Sequence, residues 1–292
     1  MNQVRVEIEC DALLGESPFW DGEKRVLYWV DLLNNTLYIY DVEKGMNTGI
    51  GFEKHVCSVV KAESGGIILA LQDGIYSFNF NTGDLNLLVE PGNWPDGNRF
   101  NDGKCDPEGR YWIGTMNMDN RRGQGALFRL HQDGLIGMLD SVSISNGLAW
   151  DRAEGKMYYI DTPTQEVASF DYNPATGEIS NRHKVYSFAE KEGSPDGMTI
   201  DSEGNLWVAL WGGGKVAKIN PSTGRWEDSI HLPVSLVTSC VFGGADHKTL
   251  FITTARYGMT EQEIQESPLS GSVFAFEPGV AGTPSSYYKG VE

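Results

Sequence analysis

Acidic residues outnumber basic ones by 40 to 23 in this 292-residue chain, and the resulting net charge of −17 leaves no basic footprint for a nucleic-acid backbone or an anionic membrane face. The same acidity works against long-range capture of a strongly anionic substrate. Apolar residues at 40% and aromatics at 11% suffice for packed cores between repeated units, and 35 glycines suit a fold with many tight turns.

Residues 1–10 are polar and alternating, with neither a basic start nor an apolar run, so they do not read as a secretory signal. From there, short strand-like bursts recur at Leu27-Tyr28-Trp29-Val30, Ile67-Ile68-Leu69-Ala70, Tyr111-Trp112-Ile113-Gly114, Met157-Tyr158-Tyr159-Ile160, Leu206-Trp207-Val208-Ala209 and Leu250-Phe251-Ile252-Thr253. Their starts lie 40, 44, 46, 49 and 44 residues apart. A period of about 40–50 residues with several strands per unit predicts an all-β, six-bladed propeller with four antiparallel strands per blade. The repeat runs without interruption, so one domain over 1–292 is expected.

Hairpins support the period. Val26–Asp31 and Thr36–Asp41 flank a turn at Leu33-Asn34-Asn35, and Ile67–Leu71 and 75–80 flank Gln72-Asp73-Gly74. Third strands are expected at 126–130, 167–172, 216–220 and 272–276. Similar outer turns follow at Asn81-Thr82-Gly83, 173–177 and 220–224. Two polar loops, 91–98 and 117–124, break the rhythm on either side of one repeat, where loops on a rigid scaffold often carry binding residues. The one helical candidate is 260–266, where Thr260 and Glu263 fit a capping box.

Ten or eleven residues before each burst stand Glu16, Cys57, Asn101, Asn146, Asp196 and Ser239. If each burst is the second strand of its blade, these six positions meet near the axis on the innermost strands. Asn101-Asp102-Gly103, Asn146-Gly147 and Asp196-Gly197 are also ordinary turn dipeptides. Their equivalent phase argues otherwise, because plain hairpin turns such as Asp73-Gly74 and Asp133-Gly134 fall elsewhere in the repeat. Carboxylates aimed at one point repel and lose water, so they need a shared cation. Glu16, Asn146 and Asp196 offer two charged oxygens and one carbonyl oxygen, a set suited to Ca²⁺, Mg²⁺, Mn²⁺ or Zn²⁺. Three protein ligands leave positions open for water and substrate.

Other chemistries find less support. Cys10, Cys57, Cys105 and Cys240 show no close pairs or metal spacing and read as free thiols in a reducing compartment. The five histidines lack ligand spacing. Ser17 and Ser239 have no positioned histidine, and no G-x-S-x-G occurs. Gly212-Gly213-Gly214 lacks the Lys-Ser of a phosphate loop and reads as a hairpin turn. No apolar run approaches the roughly 18 residues of a membrane span. A soluble, cytoplasmic protein is expected.

Six ordered motifs then carry a resemblance: Gly15-Glu16-Ser17-Pro18, Arg99-Phe100-Asn101-Asp102-Gly103-Lys104, Gly114-Thr115-Met116, Ser145-Asn146-Gly147-Leu148, Pro195-Asp196-Gly197-Met198 and Cys240-Val241-Phe242-Gly243-Gly244, with Thr254-Ala255-Arg256 near the end. The chain resembles the regucalcin (senescence marker protein)/gluconolactonase family over essentially its whole length. That resemblance implies a divalent metal in the central channel on Glu16, Asn146 and Asp196, the trio already selected by repeat phase. It also implies substrate contacts at Arg99 and Asn101. A family glutamate falls at Asp119, whose shorter side chain departs from the pattern. The implied activity is metal-dependent hydrolysis of a sugar lactone to its aldonic acid, with Asp196 as the base acting on water. The implied partner is a small-molecule sugar lactone, with no nucleic acid and no membrane, and monomer or dimer left open. The loop 117–124, with Arg121 and Arg122, is a candidate lid. Alternatives are a Ca²⁺-binding regulatory protein, a metal-dependent phosphotriesterase-like hydrolase and, more remotely, an interaction scaffold, against which the single Trp150-Asp151 dipeptide counts.

Overall fold

The computed structural model describes residues 3–92 and 94–290, which leaves the two ends of the segment 1–292 and Asn93 of the loop 91–98 outside the described residues. Six four-stranded antiparallel sheets form six blades. Their innermost strands are Gly15–Asp21, Val56–Lys61, Asn98–Cys105, Ser145–Asp151, Ser194–Ile200 and Val237–Gly243. The apolar bursts all fall in second strands, as the period requires: Val26–Asp31, Ile67–Leu71, Tyr111–Asn117, Lys156–Asp161, Leu206–Trp211 and Thr249–Thr254.

Burial explains why those bursts are continuous rather than alternating. Both faces of a middle strand press on neighbouring blades, so Val26–Asp31 and Ile67–Leu71 are buried at every position. Outermost strands such as Met46–Gly51 and Leu85–Val89 are mostly exposed and carry weak patterns. The core therefore lies between blades. Trp20 of the first blade stacks on Phe251 of the sixth at 5.6 Å between centroids, and Trp207 of the fifth meets Phe242 of the sixth edge-on at 6.1 Å. Trp29 is fully buried and stacks on Tyr38 at 4.3 Å, so Trp29→Ala would cost about 3–5 kcal/mol in lost packing.

The sixth blade is composite. Its outermost strand is Arg5–Ile8, which pairs antiparallel with Val273–Phe276 through Arg5↔Ala275 and Val6↔Phe274. Within the segment 1–10, Arg5–Ile8 is thus an edge strand, and it closes the ring. The capping box is present on the helix Glu261–Glu266, where Thr260 accepts from the Glu263 backbone N–H.

The chain then crosses one end of the axial channel, here called the rear. Gly282 N–H donates to His247 O at 2.8 Å, Thr283 N–H to Ile200 O at 3.2 Å, Tyr288 N–H to Lys61 O at 2.7 Å and Lys289 N–H to Gly109 O at 3.0 Å. The Tyr287 hydroxyl reaches Asp21 Oδ1 at 3.0 Å. This tail ties the first, second, third, fifth and sixth blades together across the rear face.

Carboxylates at that end are used structurally. Asp201 Oδ1 accepts from the Glu203 and Asn205 N–H groups at 3.0 and 2.8 Å, while Oδ2 takes the Trp207 indole N–H at 2.9 Å. Asp106 repeats the device with Glu108, Arg110 and Trp112. Part of the acidity read from composition thus holds hairpins shut. Among the described residues no helix is long and apolar enough to cross a membrane, and all four cysteines are free thiols.

Candidate active site

Every innermost strand slips register at or next to the position that repeat phase selected. The shifts fall between Glu16 and Phe19, Val56 and Ser58, Phe100 and Gly103, Asn146 and Leu148, Pro195 and Met198, and Val237 and Ser239. A bulge leaves residues unpaired and re-aims side chains, and next to active sites this is its common use. Glycine follows the key residue in two strands because there is no room for a Cβ. At Gly147 it would come within 2.7 Å of the Asp196 carbonyl oxygen, and at Gly197 it would collide with the Ser239 side chain.

The bulges bring Glu16, Arg99, Asn101, Asp102, Asn146 and Asp196 together as buried polar residues at the mouth end of the channel. One bonded chain runs through them. Arg99 Nη1 donates to Asn101 Oδ1 at 2.6 Å and to Phe100 O at 2.8 Å. Asn101 Nδ2 donates to Asn146 Oδ1 at 3.1 Å and to Ser145 O at 2.9 Å. Asn146 Nδ2 donates to the Thr162 hydroxyl at 2.9 Å, which itself donates to Pro195 O at 2.8 Å. Both amide NH₂ groups are thereby committed, which fixes the Asn146 carbonyl oxygen toward the cluster.

The carboxylates are far less satisfied. Glu16 Oε2 accepts only the Ser17 N–H at 3.1 Å, and Asp196 Oδ1 is buried with no partner. Burial, reinforced by Asp102, pushes the Glu16 carboxyl up to about 8, against the pull of the Ser17 N–H and Arg99. Burial also raises Asp196 well above the usual carboxylate range, with Glu16 and Asp102 adding repulsion. Excess negative charge in a buried, all-oxygen pocket, with one oxygen unpartnered, is what a divalent cation relieves. Among the described residues no group of three or more His, Cys, Asp or Glu side chains is placed to hold a metal. The expected set has two carboxylates and an amide, so its chemistry fits without such a group.

Two residues escaped the sequence reading. Asp102 is buried beside the cluster, because the bulge turns both Asn101 and Asp102 inward where repeat phase assigns one residue per strand. Lys104 lies below it and donates to Met198 O at 2.7 Å; burial lowers its ammonium, opposed by Asp102. The signal available was Gly103, where a Cβ would come within 2.7 Å of the Tyr111 hydroxyl. Cys57 takes the second axial position, and burial pushes its thiol up to about 11, so it stays protonated. Asp119 stands apart: its carboxylate is 69% exposed on a rim turn and pairs with Arg121 at 3.0 Å. Beneath the cluster a cavity of about 480 Å³ reaches from Ser17, Asp102 and Ser239 to Thr283 and Pro284 of the tail.

Residues 14–256 match the family model described as SMP-30/Gluconolactonase/LRE-like region. The chain belongs to this family. It is 44% identical to Bacillus subtilis (strain 168) YvrE, a protein provisionally named a sugar lactone lactonase, over 95% of each chain. It is 36% identical to regucalcin of Xenopus laevis over 98% of this chain and 99% of that one. A crystal structure of a calcium-binding protein, regucalcin, from Agrobacterium tumefaciens str. C58 superposes with a TM-score of 0.93 at 26% identity, covering 99% of this chain and 98% of that one.

Proposed function

We propose that the protein hydrolyses a sugar lactone to its aldonic acid at the mouth cluster, with a divalent cation on Glu16, Asn146 and Asp196. The observation that carries this is the buried, partnerless Asp196 Oδ1 beside Glu16, in a family that includes a named sugar lactonase. A cation held by this trio supplies Lewis acidity toward the lactone carbonyl and a nearby water.

The side chains do the rest. With a cation offsetting the repulsion from Glu16 and Asp102, the Asp196 carboxylate would accept a proton from the attacking water, whose oxygen forms the new bond to the lactone carbonyl carbon, and would return that proton to the ring oxygen. The ring C–O bond then breaks, the ring oxygen takes a proton to become a hydroxyl, and the carbonyl carbon ends as the carboxylic acid. Arg99 Nη1 is committed to Phe100 O and Asn101 Oδ1, and other guanidinium N–H groups can hold ring hydroxyls, with Asn101 fixing the fork. Glu16 balances charge and orients the donor set. Asp119, on the rim, would touch only the far edge of a substrate, and the loop 117–124 around it is the part able to cover the mouth.

A pH-stat assay over aldono-1,4- and 1,5-lactones, with and without exhaustive EDTA dialysis, tests the reading. Turnover should vanish on dialysis and return with Ca²⁺, Mg²⁺, Mn²⁺ or Zn²⁺. Full activity in the metal-free protein would end the cation role, and inactivity on every lactone would end the lactonase reading. In the second case, retained calcium binding would favour the alternative of a calcium-binding protein without turnover, a reading that the calcium-binding Agrobacterium relative supports.

A further inference from the structure

Most large apolar side chains left exposed, such as Met46, Leu85, Leu87, Leu88 and Ile136, sit on outermost strands or the turns beside them, away from the mouth. Tyr257 does not. It is 53% exposed and follows Thr249–Thr254 on the mouth face, where its ring meets that of Trp211 at 6.5 Å and a tilt of 52°. Trp211 ends the second strand of the fifth blade and pairs with Ser194, two residues before Asp196. Asp196 lies in the bulge that follows Pro195, so Trp211 sits at the same mouth end of the blade as that carboxylate. The two rings line a groove of about 270 Å³ with Ser235, Met259, Glu263 and Glu266, at the mouth end that also carries the proposed reaction centre.

The rim is kept low at this point. The turn Gly212-Gly213-Gly214 follows Trp211, with φ of +74° at Gly212 and +62° at Gly214. A Cβ at Gly213 would strike the Glu192 carbonyl oxygen, and one at Gly212 would meet nothing within 4 Å. No side chain therefore stands over the groove from this turn.

The chemistry of the walls selects an occupant. Two aromatic faces carry the negative side of the ring quadrupole, which suits polarised C–H groups. Glu263 Oε2 is taken by Thr260 and Glu266 Oε1 by Gln262, which leaves their other carboxylate oxygens and the Ser235 and Ser267 hydroxyls to accept from hydroxyls, and no Lys or Arg lines the groove. Anions are disfavoured, and a neutral polyhydroxylated ring fits.

We propose that the groove is a second sugar subsite, so that the enzyme takes aldonolactones bearing a neutral glycosidic ring. That ring stacks on Tyr257 and Trp211 while the lactone lies over Asp196. The inference rests on the lactonase reading above and adds the size and charge class of the substrate.

Wild type, Tyr257→Ala and Tyr257→Phe are compared on glucono-1,5-lactone and cellobiono-1,5-lactone by kcat/KM. Wild type should favour the disaccharide lactone. Tyr257→Ala should lose about five- to ten-fold on it and less than about two-fold on gluconolactone, while Tyr257→Phe keeps both. Equal losses on the two substrates, no loss on either, or a wild type active only on gluconolactone would each overturn the subsite. A wild type inactive on both lactones would instead remove the lactonase reading, and the subsite with it.

Discussion

The two ends of the axial channel are built from the same six strands, yet Asp106 and Asp201 at the rear and Glu16 and Asp196 at the mouth are treated in opposite ways. At the rear, Asp106 and Asp201 each accept two turn N–H groups and an indole N–H. At the mouth, Glu16 accepts one backbone N–H and Asp196 Oδ1 accepts nothing. The rear also carries the tail, which ties five blades together, whereas the mouth carries bulges that break the strand ladders. The rear is where the molecule gains stability. The mouth keeps buried charge under tension, as sites built for chemistry commonly do.

The largest expected effect that would test this contrast is on activity. Asp196→Ala should lower lactone kcat by roughly 10³-fold while leaving the melting temperature unchanged or raised, since repulsion on Glu16 is relieved. A matched loss of stability, seen by calorimetry, would mean that the mouth is structural too. Asp201→Ala should do the reverse. It strands buried donors and should cost about 3 kcal/mol in chemical denaturation with little change in KM. Next, EDTA-treated protein should gain about 2.7 kcal/mol of stability at a hundred-fold excess of a divalent ion over its Kd, and the Glu16→Gln, Asp196→Asn double variant should gain none. A thermal-shift titration reads this without any turnover. The smallest effect belongs to the rim: Asp119→Ala should change kcat/KM by no more than about two-fold and stability by less than about 0.5 kcal/mol, given its exposure.

The same contrast explains how much could be read in advance. Second strands press on neighbouring blades with both faces, so Leu27–Val30 or Leu206–Ala209 appear as unbroken apolar runs, and the six-fold period follows from them. Glu16, Asn146 and Asp196 were visible because they keep one phase against that period. Asp102 was not, because a bulge turns two successive residues inward and sequence phase counts only one. Arg5–Ile8 looked like a loose polar start because an edge strand has just one covered side. The Trp211–Tyr257 groove was invisible for a different reason: its walls come from turns of two blades, and nothing periodic joins them. Asp119 was placed by likeness to a motif rather than by phase, and the structure sets it on the rim, outside the buried cluster.

The pairing of Arg5 with Ala275 has a bearing on how the molecule is made. Arg5 is synthesised well before Ala275 and must wait for it before the pair can form, so the circle shuts late. Entropy of joining such distant points grows only slowly with separation, but the delay exposes unpaired edges while synthesis continues. A circular permutant that joins the old ends and opens at the exposed turn near Asp133 would give the sixth sheet a contiguous origin. It should refold faster and aggregate less at equal native stability.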